Sequence, residues 1–505
     1  MKRILHSLIF FACTLNAQVQ QNIRVEYDED FTDALSVAAY ENKKCALVMY
    51  SDKQKSTKKQ EFTVYETLDE NLKKRKSIIV AEPDRDKYRF TTWYNDESFH
   101  YSMYYTNTSG EFLLQKLDPQ TLEIKEVTGF FGSRFLFNSW VIEGDIAYIA
   151  GTLKRKLRVF TLDLNTGRIT VYNPQEKTKL PLSFVDMQKV KTPAGFEIFF
   201  RYDAKVSKKN IEKYMYRFDE NGNQIGDFLV LPKPGSETIL LDATFTKVAD
   251  GSYIVTGTFS KDKKVYANGL YFAKLNDRTV EYIKYTNFLD LKNFVEASGI
   301  RKDKLAKKQE KAEEKGEELF VNCRATLHDV IEVEGKYFVI AEFFYATYRT
   351  ETYTTTDANG RMVTRSRQVF DGYQYSHAAI ASYKKDGTLA WSNAFEMWLD
   401  SKPFAVTQFI RVGIDGMAIK MMYSTGSQIK SIAYSSEGKV ISERKAELVN
   451  TTKSKDEVKY TLYNDLHFWY DNHFITYGFQ KIKNEEEDEK GKKKRKVYYI
   501  NKITF

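Results

Sequence analysis

The stretch YRFTTWYNDESFHYSMYYTNTSGEFLLQKLDPQTLEIKEVT, from Tyr88 to Thr128, reads as four short strands separated by tight turns. The strand candidates are Tyr88 to Tyr94, Ser98 to Thr106, Gly110 to Leu117 and Leu122 to Thr128. Aromatic and aliphatic residues alternate with polar ones along them, the period of a strand, and Asn, Asp, Gly and Pro punctuate the run. Its last turn, LDPQTLEI from Leu117, recurs as LDENLKK from Leu68, LDLNTGRI from Leu162, FDENGNQI from Phe218, LNDRTVEY from Leu275, YKKDGTLAW from Tyr383 and YSSEGKVI from Tyr434. Self-similarity at this spacing indicates an array of small sheets.

Working outward from each turn gives further units of four strands. One runs through Phe135 to Ile142, Asp145 to Leu153, Lys156 to Asp163 and Arg168 to Tyr172; others span Phe184 to Leu231, Leu240 to Thr286, Arg324 to Phe395 and Phe404 to Ala446. The first complete unit has strands starting near Ala34, Cys45, Glu61 and Lys73. The last, near Lys459 to Tyr470, His473 to Gln480 and Val497 to Phe505, is one strand short, and a spare strand candidate stands at Asn22 to Tyr27. Four strands per unit in series is the pattern of a β-propeller blade, and the spare strand would complete the last blade and remove two open sheet edges. The expectation is an all-β chain, residues 22–505 forming one propeller of eight four-stranded blades closed by an N-terminal strand, with one helical insertion. Seven blades is the fallback count, and two stacked β-domains is the competing architecture.

Composition agrees. A chain of 505 residues exceeds what one ordinary core supports, so a repeat that adds core unit by unit is needed. With 34 Tyr, 35 Phe and only 8 Pro, the chain favours strands and has much to bury.

Lys2 and Arg3, the mostly apolar run Ile4 to Leu15 and the small Ala17 read as a signal peptide over residues 1–17. The rival reading makes Cys13 a lipid anchor, because FFAC from Phe10 is a poor version of a lipidation motif. That run is too short to span a bilayer and no later stretch is long enough. An exported chain is therefore expected, periplasmic, at the cell surface or extracellular. The formal charge of +9 is modest and dispersed, which argues against nucleic acid as a partner. Without Cys13, only Cys45 and Cys323 remain, too few for a disulfide framework.

The phrases DGSYIVTG from Asp250 and DGTLAW from Asp386 resemble repeats of secreted bacterial propellers, an uncharacterised propeller-like family. The resemblance implies the fold and no particular activity.

Loop length distinguishes the two faces of such a ring. Connections from strand one to two and three to four are short, as at Glu143-Gly144, Asp250-Gly251 and Glu334-Gly335. The long excursions, Ser51 to Gln60, Asp203 to Glu212, Asn287 to Asn322, Ala346 to Gln374 and Lys481 to Lys496, all belong to the opposite face, where a rigid scaffold would carry its function. Residues 287–322 hold a charged, mostly solvated helix candidate, with KLAKKQEKAEEKGEEL from Lys304. Residues 481–496 read as a charged hairpin in which Glu486, Glu487, Asp488 and Glu489 oppose Arg495, Lys494, Lys493 and Lys492, neutralising one another. Residues 346–374 read as a protruding β-hairpin arm rich in Thr and Tyr, with Tyr348, Tyr353, Arg361, Arg365 and Arg367 as binding candidates for a protein, peptide or glycan. A merely solvated ribbon is the plain alternative.

Signatures of chemistry are scarce. No GxSxG, HExxH, Walker or Rossmann fingerprint occurs, and His467 and His473 lie on consecutive strands rather than at metal-ligand spacing, so no metal is expected. LDLNTGRITVY from Leu162 is similar to one fragment of quinone-cofactor propellers but lacks its Trp and is not repeated, so no cofactor is expected. If the first strand of each blade surrounds the axis, Asp186 with Gln188, Asp242 with Thr244, Arg324 with His328, Arg411, and Asp465 with His467 face it. Asp186, Asp242, His328 and Asp465 are then the catalytic candidates, with structural filling of a polar funnel as the preferred account. Two functions follow as expectations: a non-enzymatic binding or scaffold propeller using its long-loop face, or a hydrolase or lyase acting on an extracellular polymer at the channel mouth.

Overall fold

Eight antiparallel four-stranded sheets follow one another along the chain in a computed structural model. It describes residues 20–504 apart from 31, 59, 175–179, 193–194, 206–210, 230–237, 249, 262–265, 277–278, 357–359, 427, 448–450, 452–455, 472 and 486–492. The signal-peptide reading, Cys13 and the acidic half of the charged hairpin therefore lie outside the described residues.

Blade 2 has strands Phe90–Asn95, His100–Tyr105, Glu111–Leu117 and Ile124–Phe130, paired in chain order. Blades 1, 3, 4 and 7 repeat that order, while in blades 5 and 6 the first strand is broken into two short pieces that both pair with the second strand. In blade 8, Glu457–Tyr470, His473–Lys483 and Lys494–Thr504 are completed by Gln20–Asp28, which pairs with Lys494–Thr504 in the register Val25 opposite Ile500. Arg24 fastens this strand, its Nη2 donating to Gln480 Oε1 at 2.8 Å. The ring is one closed array of eight blades, so the seven-blade count and the pair of stacked domains are both set aside.

Each seam between neighbouring blades carries its own cluster of buried side chains. Blades 1 and 2 meet through Tyr40, Leu47, Tyr65 and Leu117; blades 8 and 1 meet through Val37, Val48, Trp469 and Ile500. Among the described residues, the seam between blades 7 and 8 holds the smallest cluster, the buried Met422, Ile429, Leu466 and Ile503. Stability in such an array is a sum over seams, and the N-terminal strand adds Ile23, Val25 and Tyr27 to the one between blades 8 and 1.

The recurring turn keeps its chemistry while changing its residues. Asp69, Asp118, Asp163 and Asp219 each accept backbone N–H groups of the turn they open. Gly167, Gly222, Gly387 and Gly438 supply the positive φ that follows. In blades 1 and 2 the same place is taken by Leu72 and Leu122, at φ 54° and 59°. A left-handed leucine costs about 1–2 kcal/mol. Both side chains are buried, and burying a leucine returns about 1.5–3 kcal/mol, so the strained turn is retained.

The insertion after blade 5 is more firmly seated than its charge suggests. A 3₁₀ turn at Phe288–Asp290 and a short helix at Phe294–Ser298 place Phe288, Leu291, Phe294 and Ala297 in the core shared by blades 5 and 6. Only the second helix, Lys302–Glu313, is the solvated one that the sequence implies. In the charged hairpin, Arg495 lies opposite Ile482 and pairs with Glu26 and Asp456.

Candidate functional site

The four acid–base candidates lie on or beside the first strands of their blades, and every one of them has fixed partners. Asp186 accepts the guanidinium of Arg201, its direct neighbour on the second strand of blade 4, and Gln188 Nε2 at 3.1 Å. Asp242 lies in the gap between the two pieces of the first strand of blade 5, where Thr258 N and Oγ1 donate to its Oδ1 at 2.6 and 2.7 Å. Burial pushes the Asp242 carboxyl up from the ordinary carboxylate range, against the lowering effect of those bonds and of the Arg201 charge.

His328 follows the inner strand of blade 6, and its Nε2 lies 2.6 Å from Glu342 Oε1. Glu342 is fully buried and also accepts the backbone N–H groups of Phe409 at 3.0 Å and Ile410 at 2.9 Å, so one carboxylate ties blade 6 to the start of blade 7. Arg411 continues the belt into blade 8, with Nη1 donating to Gln408 O at 2.8 Å and Nη2 to Asp465 Oδ1 at 3.0 Å. Burial would raise the Asp465 carboxyl, but the hydrogen bond and charge of His467 and the charge of Arg411 hold it below the usual range. His467 Nε2 is 3.1 Å from Asp465 Oδ2, and its ring stacks on Tyr477. Thr244 bonds Thr256 across its blade at 3.0 Å, and Arg324 lies over the Tyr266 ring. Asp186 and Asp242 share the neighbourhood of Arg201, and His328 connects to Asp465 through Glu342 and Arg411; the four do not form one cluster.

The axial cavity opens among the short turns, on the side that loop length leaves bare. Its volume is about 480 Å³, and its lining includes Glu41, Asn95, Asp96, Glu97, Lys189 and His467 from blades 1, 2, 4 and 8. Asp96 is spent on its own turn, accepting Ser98 N at 2.7 Å and Phe99 N at 2.6 Å, and Lys189 pairs with Glu143. Among the described residues no group of three or more His, Cys, Asp or Glu side chains is placed to hold a metal ion. Cys45 and Cys323 are both free thiols.

The arm is a two-stranded ribbon. The second and third strands of blade 6, Lys336–Thr356 and Met362–Tyr383, outrun their neighbours: pairing to the first strand ends at Phe344 and pairing to the fourth at His377. Farther out, from Tyr348 opposite Phe370 to Thr356 opposite Met362, the two strands pair only with each other among the described residues. Partners directly opposite share a face. One face carries Arg349, Glu351, Tyr353, Arg365 and Arg367; the other carries Thr350, Thr352, Thr354, Thr364, Ser366 and Gln368. Glu351 pairs with both Arg349 and Arg367 at 2.9 Å, and the Arg367 guanidinium lies 5.8 Å from the Tyr353 ring centre. Arg365 stands opposite Tyr353, and Arg361 precedes the return strand, exposed.

At the root of the arm the sequence missed an aromatic cluster. Phe370 packs against Tyr348, Tyr373 and Phe404, with ring centres 6.0, 5.0 and 5.9 Å apart. Phe404 comes from the connection between blades 6 and 7, a separate segment that only the folded ring brings alongside. It is 73% exposed and Tyr348 62%, a large apolar surface in water.

No family model and no curated protein matches the chain. Solved structures similar to it include the polysaccharide lyase Uly1, with a TM-score of 0.40, 10% identity and coverage of 82% of this chain and 89% of that one. The Dos1 propeller aligns with a TM-score of 0.40 and 9% identity over 96% and 95% of the two chains. The tricorn protease aligns with a TM-score of 0.38 and 11% identity over 85% of this chain and 35% of its own. The eight closed sheets define the fold independently of these likenesses.

Proposed function

We propose that the chain is an exported, non-enzymatic propeller that docks a partner through the arm of blade 6 and the aromatic cluster at its root. The observation that carries this reading is the grouping of the exposed Tyr348 and Phe404 around the half-buried Phe370, beside a ribbon that among the described residues pairs with no neighbouring blade. Aromatic rings clustered at a surface are the residues that anchor interfaces, and a rigid ring presents them at little entropic cost. The partners already held by Asp186, Asp242, His328 and Asp465 favour the polar belt as framework over acid–base work. Export rests on the charged and apolar residues at the start of the sequence.

The test replaces residues 347–372 by a short turn and, separately, places a photo-crosslinking side chain at Tyr348. Crosslinks from position 348 to one partner, lost when Phe404→Ser is added, are the expected result. Full recovery of that partner by the chain lacking the arm overturns the reading.

A further inference from the structure

The ribbon leaves two free edges. Residues 348–356 and 362–370 bond only each other among the described residues, so alternate N–H and C=O groups on each outer edge face water. Each edge is about 30 Å long at 3.3 Å per residue. Natural edges of that length are normally blunted by lysine, proline or a bulge. Residues 347–372 contain no Lys and no Pro, and past the bulge between Ala346 and Tyr348 the ladder keeps its register to Thr356 opposite Met362. Seven threonines between positions 347 and 364 favour the extended state. The edge of the return strand already accepts one main-chain partner at its root, where Tyr373 N donates to Pro403 O at 2.8 Å.

The charged face selects what could extend that pairing. Arg349, Arg365 and Arg367 share it with Glu351 alone, which leaves an excess of two positive charges. A strand laid beside residues 362–370 would set its alternate side chains about 5 Å from Arg365 and Arg367. Carboxylates there gain charge-assisted bonds, whereas a second copy of the same arm would bring like charges together.

We propose that the outer edge of residues 362–370 takes up an extended acidic segment of a partner protein as an added strand, a deepening that rests on the arm being the docking element. The full chain is titrated against ten-residue fluorescent peptides of alternating Thr-Glu and Thr-Lys, with a Thr-Glu peptide N-methylated at every second residue. The Thr-Glu peptide is expected to bind at least about tenfold tighter than either control, a gap of about 1.4 kcal/mol. Arg365→Glu together with Arg367→Glu, both exposed, should reverse the preference toward Thr-Lys. Equal binding of the methylated peptide overturns strand addition. So does absence of Thr-Glu binding when removal of the arm still abolishes the crosslinked partner, since docking then stands without this mode. If removal of the arm changes neither, the docking reading has failed as well.

Discussion

His328 Nε2 and Glu342 Oε1 lie 2.6 Å apart inside the seam between blades 6 and 7, and the imidazole is one of several donors to a carboxylate shielded from solvent. Removing that carboxylate leaves the N–H groups of Phe409 and Ile410 without their acceptor. Glu342→Ala should lower stability by about 3–5 kcal/mol, and Glu342→Gln, which keeps one acceptor oxygen, by less. Urea unfolding measures both. A loss under about 1 kcal/mol for the alanine variant would show that the carboxylate does not join the blades.

Two other histidines make the fold sensitive to mild acid. Burial lowers His100 to about 4 and His377 to about 3; His100 is wedged between Asn95 and Ser102, and His377 stacks on Phe343 at 4.5 Å. In the unfolded chain both titrate near 6.5, so above that pH they add no pH dependence. Below it the unfolded state takes up protons the folded state refuses, and stability falls by about 1.4 kcal/mol per pH unit for each group until the folded value is reached. Between pH 6.5 and 5, before most carboxylates titrate, His377→Phe should remove one such slope. An unchanged slope in denaturation midpoints against pH would refute the assignment.

Gly257 marks where the inner strand of blade 5 crosses close beneath the second. A Cβ there would stand 2.1 Å from Asp242 O and 2.4 Å from the Tyr271 ring, whose hydroxyl donates to the same carbonyl at 2.8 Å. Gly257→Ala should therefore cost about 1–3 kcal/mol or more by overpacking. The melting temperature should fall accordingly, while Gly251→Ala, on an open turn, should act only through its backbone conformation.

Deleting residues 20–28 should expose the edge of Lys494–Thr504 and strip Ile23, Val25 and Tyr27 from the border of the seam to blade 1. The expected outcome is concentration-dependent association, seen by light scattering, rather than a folded monomer. A monomer of unchanged melting temperature would mean that the ring closes without its first strand.

What the sequence made legible was local. Turns at Asp163 to Gly167 and Asp219 to Gly222 announce themselves in a few residues, and the missing strand of the last blade could be matched to the spare one by counting. The long-range features were hidden. Glu342 reads as one more polar residue in a strand, because its backbone donors, Phe409 and Ile410, lie more than 60 residues away. Phe404 joins Phe370 only through folding, and the anchoring rings Phe288 and Phe294 precede a run whose charge dominates the eye. One signal was there to be read: the second strands of blades 3, 5 and 8 share a mid-strand glycine in YIAGTL, IVTGTF and ITYGFQ, at Gly151, Gly257 and Gly478. Each sits where a Cβ would collide with the inner strand.

The pairing of Val25 with Ile500 also imposes a schedule. The strand Gln20–Asp28 must wait for Lys494–Thr504, across about 475 intervening residues. At about 5–20 residues per second, that is on the order of half a minute or more of synthesis. Seven blades can assemble one upon the next as they emerge, while the opening segment stays extended with its edges bare. The growing chain is most exposed to misassociation during that interval, and a chaperone that shields an extended N-terminal segment would act there.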